Sequence, residues 1–302
     1  MSQLIYSMTD AALEHKLKQT LGRHGGIVRE LMSFTPDPGD PQVCLSMALP
    51  ANPKELDEHI EGLIEFIASG TGETEEEANN SAVGEAIERY CAAYVQRSRI
   101  CFASGEELAK KENILNSKKY PLFTEEQYAQ WGFPYQPFTN QDILGWVEGR
   151  SYTNNQGVFV PAGFVWDSYR PLHAKEPFLS YGLMTGSACG QTLEDAVLSG
   201  LLENIERDSF MIMWYNFLSM PKINVEGLTK AKEMFAAFFD ETRFQLDLVN
   251  TTTDTGIPSV FGVLRTYDNK VLIGGAARLT MEEAVIKTLS EISQLYMGNK
   301  SY

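Results

Sequence analysis

Thr192–Asp208 reads TLEDAVLSGLLENIERD, and the architecture turns on this stretch. Thr192 followed three residues later by Asp195 is a capping box, in which side-chain oxygens satisfy backbone donors orphaned at a helix start. Behind the cap come Val197, Leu201, Leu202 and Ile205, with two carboxylates, Glu203 and Glu206, among them. Residues three apart on a helix are neighbours on one face. A single pair of this kind ordinarily sits on solvated surface. Here the chain writes the pattern three times: TEEEANNSAVGEAIERY begins at Thr74 and TMEEAVIKTLSEISQLY at Thr280. Each copy has an acid three residues after its Thr (Glu77, Asp195, Glu283) and then an alanine (Ala78, Ala196, Ala284). Seven residues after the alanine stands Glu85, Glu203 or Glu291, and three further on Glu88, Glu206 or Gln294.

The copies are unequally spaced, so this is no solenoid. The pattern predicts one site assembled from three similar helices. Small and apolar neighbours such as Ala82, Val83, Ala86 and Ile87 embed the helices in a core. Charges held there without partners are costly, so clustered acids imply cations. Five carboxylates and Gln294 suit Mg²⁺, a hard, oxygen-seeking ion that commonly arrives with a polyphosphate. Arg89 and Arg207 each follow the second Glu of a copy and suit phosphate oxygens.

These residues resemble the YcaO family. Ser81-x-x-x-Glu85-x-x-Glu88-Arg89 is similar to that family's first ATP-binding signature. TGSACGQTLEDAVLSGLLENIERDSF from Thr185 resembles the second and LTMEEAVIKTLSEISQ the third, while Trp146–Trp166 resembles the strand-rich middle segment. The likeness runs from about Gly25 to Gln294. It implies an α/β fold with mixed sheets and packed helices, three similar helices converging on one acidic nucleotide site. It implies Mg²⁺ ligation by Glu85, Glu88, Glu203, Glu206 and Glu291, and nucleotide contacts from Ser81, Arg89 and Gln294, to which the position of Arg207 adds a fourth; it names no catalytic residue. The cofactors implied are ATP and Mg²⁺. The activity implied is phosphorylation of a peptide backbone amide oxygen, above all cyclodehydration of Cys, Ser or Thr to azolines in a ribosomally made precursor peptide, as in thiazole/oxazole-modified microcin and natural product biosynthesis. A thioamide or amidine product is the same chemistry with another nucleophile. A family protein without turnover, acting as ATP-binding scaffold, and an accessory factor in ribosomal-protein modification are the alternatives.

Two departures from the family stand out. Relatives carry a basic residue soon after the glutamine, where this chain has Leu295, Tyr296, Met297 and Gly298. They also continue well past the third motif, so the expectation is a single catalytic domain over 1–302, incomplete at its C-terminus. The partners implied are a precursor peptide or protein substrate and a separate protein that binds its leader. A homodimer stays open.

The remaining text is ordinary for a globular protein, with 43% hydrophobic and 22% charged residues in 302. A formal charge of -15 argues against nucleic acid and anionic membranes as partners. No segment approaches a membrane span, and MSQLIYSMTDAALEHK lacks a basic head and apolar run, so cytoplasm is the expected compartment. Cys44, Cys91, Cys101 and Cys189 form no CxxC pair and predict no disulfide framework. Cys189 has no histidine nearby to activate it. The four histidines share no zinc spacing and select no Ser-His-Asp triad.

Locally, helices are expected over Thr9–Leu21, within the three echoes and in KAKEMFAAFFDET. Strands are expected in GGIVREL, VCLSMALPA, FQLDLVNTT, IPSVFGVLRTYD and NKVLIGGAARL, the last ones in a single sheet beneath the helices. Trp146–Gly149 and Gly157–Ala162 make a hairpin, and SGTGET from Ser69 reads as a glycine-rich turn able to hold phosphate.

Overall fold

The computed structural model describes residues 19–52, 67–239 and 243–300. The helix expected over Thr9–Leu21 falls outside them except at its end, and the mixed segment Glu55–Phe66 falls wholly outside. The chain divides into two compact units, one drawn from Met1–Ala51, Phe66–Glu88 and Thr185–Tyr302, the other from Asn52–Glu65 and Arg89–Met184.

The first unit contains two three-stranded antiparallel meanders. One is β1 (Val28–Phe34), β2 (Cys44–Pro50) and β3 (Ala68–Gly72), which leads into helix α1 (Glu75–Ala93). Ala82, Val83 and Ala86 of α1 pack on Val28, Ala48 and Ala68 of that sheet. A polar peg fixes the pairing: Ser46 and Ser33 hydroxyls both donate to the Asn79 side-chain carbonyl, at 2.7 and 3.1 Å. The second meander is β7 (Phe244–Asn250), β8 (Ser259–Thr266) and β9 (Val271–Ala277), followed by helix α6 (Met281–Lys300). Ala284, Val285, Leu289 and Ile292, all fully buried, seat α6 on Val260, Leu264 and Leu248. Burial of the Val, Leu and Ile side chains stabilises by about 1.5–3 kcal/mol each. Helix α5 (Thr229–Phe238) packs on α6, and helix α4 (Leu193–Tyr215) lies against β8 and β9.

The second unit holds β4 (Cys101–Ser104), β5 (Ile143–Arg150) and β6 (Gly157–Pro161), with the short helices α2 (Gly105–Leu108) and α3 (Glu125–Tyr128). Trp146 is fully buried there and donates its indole N–H to the Ala103 carbonyl at 3.0 Å. The Glu176 carboxylate ties the sheet to the following loop, accepting from Gly145 N–H (2.7 Å), the Tyr169 hydroxyl (2.8 Å) and Leu172 N–H (3.0 Å). Burial first, then that carboxylate, push the Tyr169 phenol far up.

The last three expected strands do share a sheet, β7–β8–β9, one of three separate three-stranded sheets among the described residues. One local expectation is corrected. SGTGET is not a turn, since Ser69–Gly72 lies in β3 and pairs with Cys44–Met47 of β2. Its glycines serve packing instead. A Cβ on Gly70 would sit 2.6 Å from the Ser81 Cβ, and one on Gly72 2.7 Å from the Ala78 nitrogen.

Among the described residues no helix is long and apolar enough to cross a membrane. None of the four cysteines is in a disulfide among the described residues.

Candidate functional site

All three capping boxes form. The N–H of Glu77, Asp195 and Glu283 donates to the hydroxyl of Thr74, Thr192 and Thr280 at 3.1–3.2 Å. Each carboxylate in turn accepts its threonine's N–H at 3.2 Å. Such caps contribute about 1 kcal/mol each and, more to the point here, set where each helix begins. Gly72 and Gly190, two residues ahead of their threonines, tuck against the first turn of the helix at the Ala78 and Ala196 nitrogens. The third copy departs: Arg278 stands at that place, two residues before Thr280.

The caps bring the predicted acids together in two groups. Glu203 and Glu206 of α4 form one with Glu291 of α6. Glu203 Oε2 accepts Gly186 N–H at 3.0 Å, and Arg207 Nε lies 3.8 Å from Glu203 and 4.0 Å from Glu206. Lys287 Nζ sits 2.6 Å from Glu291 Oε1. Glu206, its side chain 23% exposed, is pushed up to about 7. Burial is the main cause; Arg207 opposes it, Glu291 adds to it, Arg278 opposes and Glu203 adds again. These groups therefore share one electrostatic environment, with acids and bases interleaved.

The second group is built on Ser69 of β3. Its N–H donates to Glu85 Oε2 of α1 at 3.3 Å, while Gln294 of α6 donates to its hydroxyl at 2.7 Å and its carbonyl at 3.2 Å. Glu88 is half-buried on α1, three residues beyond Glu85, and Ser81 is exposed on the same helix beside Gly70. Arg89 comes next along α1 and belongs to the second unit, where its charge acts on Asp167, whose carboxyl burial has raised.

Four participants escaped the sequence reading: Ser69, Gly186, Arg278 and Lys287. For Arg278 a signal existed, since it replaces the glycine of the other two copies. For Lys287 the i, i+4 offset to Glu291 was visible but is common on solvated helices.

Mg²⁺ fits this donor set, which is carboxylate oxygen and amide throughout. Among the described residues no three His, Cys, Asp or Glu side chains close on a common point. Mg²⁺ requires no such cage: it keeps several waters and is held by one or two carboxylates together with phosphate oxygens. A cation beside Glu206 would also relieve the crowding of like charge that, with burial, keeps this group protonated near neutrality.

Comparison with known proteins speaks to the family and the fold. A family model described as YcaO cyclodehydratase, ATP- and Mg²⁺-binding, matches residues 69–301. A protein of Methanothermobacter thermautotrophicus, itself uncharacterized, is 27% identical over 240 residues, which cover 76% of this chain and 56% of that one. Among solved structures, a heterocyclase in complex with substrate and cofactor superposes with a TM-score of 0.77 at 23% identity, over 98% of this chain and 42% of that one. YcaO from Methanopyrus kandleri bound with AMPPCP and Mg²⁺ gives 0.67 at 23% identity, over 96% and 66%. At that identity the two structures speak for the fold, and the chain spans only part of each of these relatives. The family match covers all three Thr-capped helices and every residue of both acidic groups, and the chain belongs to the YcaO family.

Proposed function

We propose that this chain activates a peptide backbone amide with ATP and Mg²⁺, most simply as a cyclodehydratase that converts Cys, Ser or Thr of a ribosomally made precursor peptide to an azoline. When bound, Mg·ATP supplies the phosphoryl group that turns the amide oxygen into a leaving group. Glu203, Glu206 and Glu291 would hold the metal from one side, with Glu85 and Glu88 of α1 completing the set. Arg207 has its guanidinium beside Glu203 and Glu206 and would bridge from metal ligands to phosphate oxygens, as Arg278 would from the residue after β9. Gln294 is oriented by its two bonds to Ser69 and would meet the nucleotide through the oxygen those bonds leave over. Ser81 and Arg89 are assigned to the nucleotide by their place in the motif. The substrate is a peptide or protein, presented by a separate leader-binding partner in the cytoplasm, and the chain acts as one catalytic domain.

The observation that carries this reading is the pairing of Glu203 and Glu206 on α4 near enough to Glu291 of α6 that both neighbours add to the rise of the half-buried Glu206 carboxyl. Calorimetric titration with Mg·ATP, beside Glu85→Ala and Glu203→Ala, tests it. Binding by the parent that drops at least ~10-fold in both folded variants is the expected result. A folded parent with no Mg-dependent binding would sink the assignment. The open spacing of the acids favours a second reading, a nucleotide-binding scaffold without turnover. Phosphate release that needs both Mg²⁺ and an acceptor peptide excludes it.

A further inference from the structure

Gly186, in the loop ahead of α4, meets one turn of that helix at three points. Its N–H donates to Glu203 Oε2 at 3.0 Å. Its carbonyl lies over Gly200, where a Cβ would strike the carbonyl oxygen and come within 3.1 Å of the carbonyl carbon. Its Cα faces Asn204, since a Cβ on Gly186 would stand 2.5 Å from Asn204 Nδ2. That amide is itself fixed, because it donates to the Gly200 carbonyl at 2.8 Å. Gly200, Glu203 and Asn204 stand at i, i+3 and i+4, neighbours on the helix surface.

The contact is made by residues that go against local preference. Gly186 has φ 90°, which a side chain would strain to adopt. Gly200 is buried inside a 23-residue helix, where glycine is a poor former. Asn204 is a weak helix former as well, because its amide competes for backbone hydrogen bonds. Local rules broken together at one contact mark a place that serves something other than helix stability. Apolar burial is not what is served, since Gly186 and Asn204 are both exposed. The product of the contact is an oriented carboxylate. A free glutamate side chain samples many rotamers. Here the Gly186 N–H ties Oε2 and leaves Oε1 on the side of Arg207, whose Nε is 3.8 Å away.

We propose that Gly200 and Asn204 are positioning residues for the metal site: they seat Gly186 so that its N–H holds Glu203 ready for Mg²⁺. This rests on Glu203 being a Mg²⁺ ligand, as proposed above. Gly200 contributes by having no side chain, so that the Gly186 peptide can lie on the helix. Asn204 contributes by closing on the Gly186 Cα. Groups that orient a metal's ligand typically change metal affinity about 10–100-fold when they are altered.

Calorimetric titration with Mg·ATP tests this on Glu203→Ala, on Gly200→Ala and Asn204→Leu, and on each of the latter two combined with Glu203→Ala. Melting curves in chelator and electron paramagnetic resonance spectra of bound Mn·ATP accompany the titrations. Asn204→Leu has similar size and favours the helix, so it carries the test even where Gly200→Ala does not fold. Gly200→Ala and Asn204→Leu should each raise the dissociation constant at least ~10-fold, with no fall in the melting temperature of Asn204→Leu. On the Glu203→Ala background neither should weaken binding further, because both act through Glu203. Bound Mn²⁺ in either variant should give the spectrum that it gives in Glu203→Ala, which a general loosening of the helix would not produce. A folded variant that binds as the parent does overturns the inference, and so does a full further loss on the Glu203→Ala background; either result leaves Glu203 as a ligand. Parent and Glu203→Ala binding alike, or a parent without Mg-dependent binding, overturns the metal assignment of Glu203 and this inference with it.

Discussion

Glu206 makes the stability of the metal-free chain depend on pH in a direction opposite to that of most carboxylates. Its pKa in the folded state is about 7, against an ordinary 4.5. The folded chain therefore holds this proton more tightly than the unfolded chain does. Its contribution is complete below about pH 4.5 and is lost as pH rises through about 7. The difference between the two values corresponds to about 3 kcal/mol, the limit that the loss approaches in alkali. Glu206→Gln keeps the shape and removes the titration. In chelator, melting temperatures of the parent relative to the variant should fall by roughly 5–10 °C between pH 4.5 and 8.5. Mg²⁺ should restore most of that difference at the alkaline end, since a metal ligand must be ionised and binding strengthens as the proton leaves. Parallel pH curves for parent and variant would refute the reasoning, because Glu206 would then be titrating alike in both states. A parent that gains stability on Mg²⁺ addition only to the extent that Glu206→Gln does would remove Glu206 from the metal site.

Thr192→Ala deletes the acceptor for Asp195 N–H and should lower stability by about 1 kcal/mol in urea titration, with far-ultraviolet helix content nearly unchanged. Ile292→Ala opens a cavity where α6 meets β8, against Gly262 and the buried Leu289, and should cost about 2–5 kcal/mol by the same method. Gln294→Ala and Ser69→Ala should each weaken Mg·ATP binding in calorimetry, and the double variant should lose less than their sum, because the two side chains act through one hydrogen bond.

The parts of this structure that could be read beforehand are those whose physics is local. A capping box needs Thr and an acid three residues on, so all three helix starts were visible in Thr74, Thr192 and Thr280. The hairpin turn before Gly157 was visible for the same reason, and Asn155 takes the left-handed conformation its type tolerates. Ser69–Gly72 misled because glycine that spares a helix from collision and glycine that turns a chain look alike in one sequence. Arg89 follows Glu88 in the motif, but its charge also acts on Asp167, which no spacing connects to it. Strand grouping was equally hidden, since Phe244–Asn250 and Val28–Phe34 both have strand text and only distant pairing assigns them to different sheets.

The structure also explains why the three echoes begin before their threonines. Two of them close a strand meander, β1–β3 into α1 and β7–β9 into α6, while α4 borrows β8 and β9 from its neighbour. In each, the first glutamate meets a small residue five or six positions ahead of its own cap: Glu85 meets Ser69, Glu203 meets Gly186, and Glu291 meets Gly274. The first two contacts are backbone N–H groups donating to the carboxylate, at 3.3 and 3.0 Å. In the third, a Cβ on Gly274 would come within 3.3 Å of the Glu291 Cβ, and Lys287 takes the carboxylate instead. A bulky residue at Gly274 would press on Glu291 itself, and one at Gly186 on Asn204, the neighbour of Glu203. Helix, cap and the small residue before the cap are thus one repeated unit, which places Glu85 on Ser69 in one acidic group and Glu203 and Glu291 in the other.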